Sequence, residues 1–173
     1  VLWLSRAKLD SYAQAHQDWS NWRNLRHIKN EPELIKRIKD GMQALCAASD
    51  SWCEFQNAQD EPEDWTQSAL GLTPLRFASL DPTVHALETQ IHYVGHATVL
   101  VSSHGGALGL SLFLPPGDAT IVELQVDGVK GNWHFQHMAA EMGHRYELVG
   151  IDKDVDVDAV WSVIQRRILQ YAS

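Results

Sequence analysis

Two kinds of apolar pattern alternate along the chain, and their spacing predicts its elements. Strand-like runs stand at Val1–Ser5, Leu75–Leu80, Ala97–Ser103, Ala119–Leu124 and Arg145–Ile151. Ala97–Ser103 is apolar nearly throughout, as a strand covered on both faces must be. Helical spacing takes over between these runs. Leu34, Ile35, Ile38, Met42 and Leu45 predict a helix over about Glu31 to Ala47, with Asn30 and Glu33 in capping-box positions. Asp81-Pro82 predicts the start of another, with Val84, Leu87, Ile91 and Val94 on one face. Ala107–Phe113 reads as a short helical stretch stopped by Pro115-Pro116-Gly117. Asn132–Met142 reads as a helix ended by Gly143, with Trp133 in the core. A last helix, capped by Asp156 or Asp158, carries Val157, Val160, Trp161, Ile164, Ile168 and Tyr171 as its apolar stripe.

Two stretches keep no period. Ser11–Arg26 is polar with interleaved Tyr12, Trp19 and Trp22, and reads as a long loop. Ser49–Pro74 is acidic, contains Trp52 and Trp65, and reads as an irregular insertion. The remainder alternates strand and helix. That order predicts an α/β fold: three layers, a mainly parallel sheet with helices on both faces, and a single domain over residues 1–173.

Charge removes one class of partner. Lys plus Arg number 14 against 22 Asp plus Glu, a formal charge of −8, so a phosphate backbone is repelled on average and nucleic acid is not expected. No apolar run approaches membrane-spanning length, so no membrane contact is expected within this chain. The first residues, Val1-Leu2-Trp3, read as an interior strand and not as a start, so the chain is expected to be a piece of a longer protein. Two cysteines, Cys46 and Cys53, leave both their pairing and the compartment open.

Ligands of parallel sheets bind at the carboxyl ends of strands. That rule selects Arg6, the Leu80-Asp81 corner, His104-Gly105-Gly106 and Glu123. The His-Gly-Gly turn is the sharpest of these. Glycines let a ligand approach the backbone, the following helix aims free N–H groups at an anion, and His104 adds a hydrogen bond or a charge. The plainer alternative is a tight turn with a packed imidazole. Gly105, Gly106 and Gly109 do not make the dinucleotide fingerprint. The guanidinium forks of Arg6 and Arg26 suit phosphate oxygens, the alternative for each being a surface ion pair. Glu123 suits sugar hydroxyls, the alternative being a salt bridge. Asp152, Asp154, Asp156 and Asp158 lack the Gly and distal Glu of a calcium loop and read as an acidic helix start, so no metal site is expected. His92 and His96 share a helix face and read as surface residues.

Taken in order, several of these residues resemble glycosyltransferase family 61. Arg26-His-Ile-Lys-Asn-Glu-Pro-Glu-Leu34 is similar to the family's R-x-I-x-N-E-x-E-L segment. Gln90-Ile91, His104-Gly-Gly-Ala-Leu108, Phe113, Pro115-Pro116-Gly117 and Ile121-Val-Glu-Leu124 resemble its later motifs. The family's H-G-A-G-L stands here as His-Gly-Gly-Ala-Leu, and Gly109 replaces the usual Thr or Ser.

The resemblance implies half of a GT-B architecture, two Rossmann-like domains about a cleft. It implies an inverting, metal-independent transfer of a xylose, arabinose or N-acetylglucosamine class sugar. The donor would be a uridine-diphosphate sugar, the acceptor a glycan or glycoprotein hydroxyl, and no further cofactor would be needed. This chain would be the donor-binding half, inactive without the N-terminal domain of the same protein, and resident in the Golgi or endoplasmic reticulum lumen. Carried over, His104, Gly105, Gly106 and Ala107 would face the diphosphate, with His104 stabilising the leaving group. Arg6 and Arg26 would neutralise it, and Glu123 would contact the nucleoside or sugar. The general base is not identified. Three other readings compete: a transferase-like binding module without activity, an unrelated nucleotide-binding Rossmann-like domain, and a serine hydrolase. The last needs G-x-S-x-G, and Gly109-Leu-Ser111-Leu-Phe does not supply it.

Overall fold

The computed structural model describes residues 1–15, 27–48, 52–58, 72–152 and 154–172. Its strands are β1 (Leu2–Leu4), β2 (Cys53–Asn57), β3 (Thr73–Leu80), β4 (Val99–Ser103), β5 (Thr120–Val126) and β6 (Arg145–Ile151). Its helices are α1 (Ala7–Ala15), α2 (Glu31–Cys46), α3 (Leu87–Gly95), α4 (His134–Glu141) and α5 (Val157–Ala172), with 3₁₀ turns at Gly106–Phe113 and Asp127–Val129. The strands form one sheet in the order β2-β3-β1-β4-β5-β6, and every neighbouring pair is parallel. The protein is therefore a three-layer α/β domain of Rossmann-like form.

Alternation along the strands divides the core in two. Trp3, Val101, Val122 and Leu124 face one layer and meet Ile38 and Met42 of α2 and Trp161 and Ile164 of α5. Leu2, Leu4, Leu100 and Ile121 face the other and meet Val94 of α3, Leu108 of the 3₁₀ segment and Ala139 of α4. Each fully buried Leu or Ile contributes about 1.5–3 kcal/mol relative to exposure. The indole of Trp161 on α5 packs directly on Gly41 of α2, where an added Cβ would stand 2.3 Å from Trp161 Cε2.

Several expectations need correction. The acidic stretch 49–74 is not wholly irregular. Cys53–Asn57 forms the edge strand β2, and Thr73 and Pro74 already belong to β3. The region read as a loop from Ser11 begins inside α1, while Trp19, Trp22 and Arg26 lie outside the described residues. Asn30 makes no side-chain capping bond among the described residues. Its amide instead clamps Val155, giving Nδ2–H to the carbonyl and accepting the N–H, each at 2.9 Å. The helix expected at Asp81 starts at Leu87, because Asp81 Oδ1 closes a local turn on the Thr83 N–H (2.9 Å) and hydroxyl (2.6 Å). Val84 and Leu87 are consequently exposed, and so is Trp133. The final helix is capped by Asp156, which accepts the N–H groups of Asp158 and Ala159. Cys46 and Cys53 are joined in a disulfide that ties the end of α2 to the start of β2.

The segments that follow β1 and β4 cover opposite faces of the sheet, α2 on one and the 3₁₀ segment on the other. After β3 the chain passes to the far side of β1 to build β4. The switch point is thus the crevice at the carboxyl ends of β1 and β4, where Arg6 and His104 follow their strands.

Candidate functional site

The turn after β4 is built from the backbone outward. All five β4 residues are buried, and His104 N–H extends the ladder by donating to Leu124 O at 2.9 Å. Gly105 is buried and extended, and Leu108 N–H returns to its carbonyl at 2.9 Å, opening the 3₁₀ segment. Gly106 is exposed, and among the described residues a Cβ added there would meet nothing within 4 Å. Neither packing nor a left-handed backbone calls for glycine at 106. The first N–H groups of the segment have no partner within it and carry partial positive charge.

The His104 side chain lies beneath this turn in a buried network. It is 4% exposed and Glu123 is fully buried. A short hydrogen bond joins His104 Nδ1 to Glu123 Oε1. Glu123 Oε2 accepts the Tyr146 phenol at 2.7 Å. Gln125 Nε2–H reaches Glu123 Oε1 at 3.4 Å and the Asn132 carbonyl at 3.0 Å. With Nδ1–H donated to the carboxylate, Nε2 accepts from Asn132 Nδ2 at 3.3 Å. Phe135 closes the ring edge-on at 5.4 Å between centroids. Burial, then the hydrogen bond to Glu123 and its negative charge, push the Tyr146 phenol far above its ordinary value.

This placement alters the part Glu123 plays. It was expected to touch a nucleoside or sugar, yet no part of it reaches the surface. Its alternation places it on the inner side with Ile121, and its oxygens are taken by His104, Tyr146 and Gln125. It positions His104. Sequence reasoning missed Asn132, Gln125 and Tyr146. Gln125 and Tyr146 had a signal in strand alternation, since both fall on the face of Glu123, and Asn132 had none.

The carboxyl end of β1 carries a second cluster, on the opposite layer. Glu31, at the first position of α2, is buried and accepts Trp3 Nε1–H at 2.8 Å and Ser5 Oγ–H at 2.6 Å. Arg6 Nη2 stands 3.9 Å from Asp10 Oδ1, one turn on in α1. Asp10 Oδ2 accepts from His27 Nδ1 at 2.8 Å. Arg6, Asp10, Ile28, Glu31 and Ser103 line one narrow recess, so Arg6 sits beside the last residue of β4. The structure brings His104 to Glu123 and Arg6 to Ser103, while Arg26 lies outside the described residues.

Among the described residues, no group of three His, Cys, Asp or Glu side chains could hold a metal ion. No helix among them is long and apolar enough to cross a membrane. No family model matches this chain, and no curated protein matches it.

Proposed function

We propose that this chain is the donor-binding half of an inverting glycosyltransferase of the family 61 type, which takes its sugar from a uridine-diphosphate donor. The observation that carries the reading is the His104–Gly106 turn at the switch point. It offers an open glycine face at the start of a 3₁₀ segment, over an imidazole braced by a buried carboxylate.

Sugar transfer breaks the bond between the anomeric carbon and the diphosphate, and negative charge gathers on the departing oxygens. Fixed N–H dipoles and a guanidinium stabilise that charge without reorganising. Gly106 and Ala107 supply the N–H groups, and Arg6 supplies the cation across the crevice. Glu123 fixes the ring through Nδ1, so Nε2 is the nitrogen left to face the diphosphate, as a donor when it carries a proton, once Asn132 yields that position. The acceptor is a glycan or glycoprotein hydroxyl, and the remaining half of the protein completes the cleft. The Cys46–Cys53 disulfide fits an oxidising lumen, as in the secretory pathway.

A second reading has its own observation. Both ring nitrogens of His104 are occupied within the protein, which favours a nucleotide-sugar-binding module that performs no transfer.

Calorimetric titration of uridine diphosphate into the full-length protein tests the donor site. One-site saturable binding that weakens about tenfold or more in His104→Ala is expected. Absence of binding in folded wild-type protein would sink both readings. Binding without release of uridine diphosphate from any of its sugars would leave the second.

A further inference from the structure

Strand β5 runs past Glu123 to Val126, so the segment at its carboxyl end is residues 127–133, between β5 and α4. This segment lies against the His104 turn. Asn132 Nδ2 reaches His104 Nε2 at 3.3 Å, and the Phe135 ring meets the imidazole edge-on. Trp133 falls between these two contacts in sequence, which puts it at the rim of the turn. It is 45% exposed, although a side chain of this size and character is ordinarily well covered.

The exposed indole does not stand on a loose loop. Gln125, itself buried, donates Nε2–H to the Asn132 carbonyl at 3.0 Å. Asn132 N–H closes on the Val129 carbonyl at 3.1 Å, and Asn132 Oδ1 accepts the His134 N–H at 3.3 Å. The Trp133 carbonyl accepts the His137 N–H at 3.0 Å. The backbone is thus held on both sides of the indole, and a ligand that stacks on it has little chain left to order. Position sets Trp133 apart as well. Among the described side chains the other exposed aromatics, Phe113 and Tyr171, lie at the opposite edge of the sheet. Tyr171 hydrogen-bonds Thr120, the first residue of β5, at 3.0 Å. The Phe113 carbonyl stands 3.8 Å from a Cβ built on Gly95, just ahead of β4.

We infer that Trp133 stacks on the uracil ring of the donor. The inference rests on the donor-half reading. Strand order sets the direction, because β1 and β5 flank β4 on its two sides. Arg6 follows β1, and the segment bearing Trp133 follows β5. With the diphosphate between Arg6 and the His104 turn, the β5 side receives an uncharged end of the donor. The sugar end has to stay open to the acceptor, so the nucleoside is the end that lies along β5. A planar base offers its π face to an indole, and such stacking contributes affinity without reading the edge of the base. Trp133 is then a binding residue that holds uridine diphosphate and takes no part in the bond exchange.

The test is calorimetry on the full-length protein with uridine diphosphate and with dihydrouridine diphosphate, whose ring keeps its polar groups but is neither planar nor aromatic. Wild type should bind uridine diphosphate about tenfold or more tightly than the analogue. Trp133→Ala should lose that factor for uridine diphosphate and bind the two ligands alike. Trp133→Phe should keep most of the preference, since an aromatic face remains. Both variants should melt near wild type, because the indole is half in water. Unchanged uridine diphosphate affinity in Trp133→Ala would overturn the assignment, and so would an equal loss for both ligands. Wild-type protein that does not bind uridine diphosphate would remove the donor reading, and this assignment with it.

Discussion

Tyr146 on β6 donates its phenol hydrogen to Glu123 on β5 at 2.7 Å. The two are diagonal neighbours on one sheet face, since Tyr146 is registered with Ile121 and Glu123 with Leu148. The phenol holds the second oxygen of a buried carboxylate whose first oxygen holds His104. The orientation of the imidazole thus depends on a strand two places away in the sheet.

Tyr146→Phe leaves Glu123 Oε2 without this donor. Removing one partner of a buried polar pair costs about 1–3 kcal/mol. The pH dependence has a definite sign. Burial and Glu123 raise the folded-state phenol value above its ordinary 10.0. The stabilisation is complete below that ordinary value and is lost as pH rises through it toward the folded one. Urea unfolding midpoints between about pH 9 and about pH 11 should fall steeply in wild type and less in Tyr146→Phe. Parallel curves would show that the phenol ionises as freely in the fold as in the unfolded chain.

Gly106 separates folding from binding. Its surroundings are open and its backbone is not left-handed, so alanine fits. Gly106→Ala should raise stability by about 0.4–1 kcal/mol, chiefly by restricting the unfolded chain. The same methyl group should stand where a diphosphate approaches the backbone and weaken uridine diphosphate binding about tenfold or more. Thermal unfolding and calorimetry on one variant decide it. A stabilised protein with wild-type affinity would move the diphosphate away from this turn.

Much of this architecture was legible in the sequence because its signals are local. Ala97–Ser103 could only be a strand covered on both faces, and the His-Gly-Gly that breaks it could only lie at a carboxyl end. Arg145–Ile151 matched its strand at both bounds. The failures share a cause, contacts distant in sequence overriding local pattern. Cys53–Asn57 carries little alternation, and becomes a strand because β3 pairs with it and a disulfide holds its first residue. Asn30 has capping chemistry but spends its amide on Val155, 125 residues away. The apolar pattern puts Glu123 near a strand end, but β5 runs on to Val126 and makes it the central residue, and its direction is set by groups on β6, on the turn after β4 and beside it on β5. Asp10 and His27 stand 17 residues apart, and no spacing rule pairs them.

The disulfide gives a prediction with two opposite halves. Cys46 ends α2 and Cys53 begins β2, so the bridge sits where strands start and the proposed site sits where strands finish. It closes a short loop, the two cysteines being 7 apart in sequence. The chain-entropy estimate for such a loop is about 2.5 kcal/mol. For a domain of this size each kcal/mol moves the melting temperature by roughly 2–4 °C. Cys46→Ser with Cys53→Ser should therefore melt about 5–10 °C below wild type. Uridine diphosphate affinity at low temperature should stay unchanged, because the ligand end of the sheet is anchored separately, by Glu31 on Trp3 and Ser5 and by Glu123 on His104. Loss of affinity in a variant that is still folded would mean that strain at the starts of β2 and β3 reaches the far ends of β1 and β4, and that the two ends of this sheet are mechanically coupled.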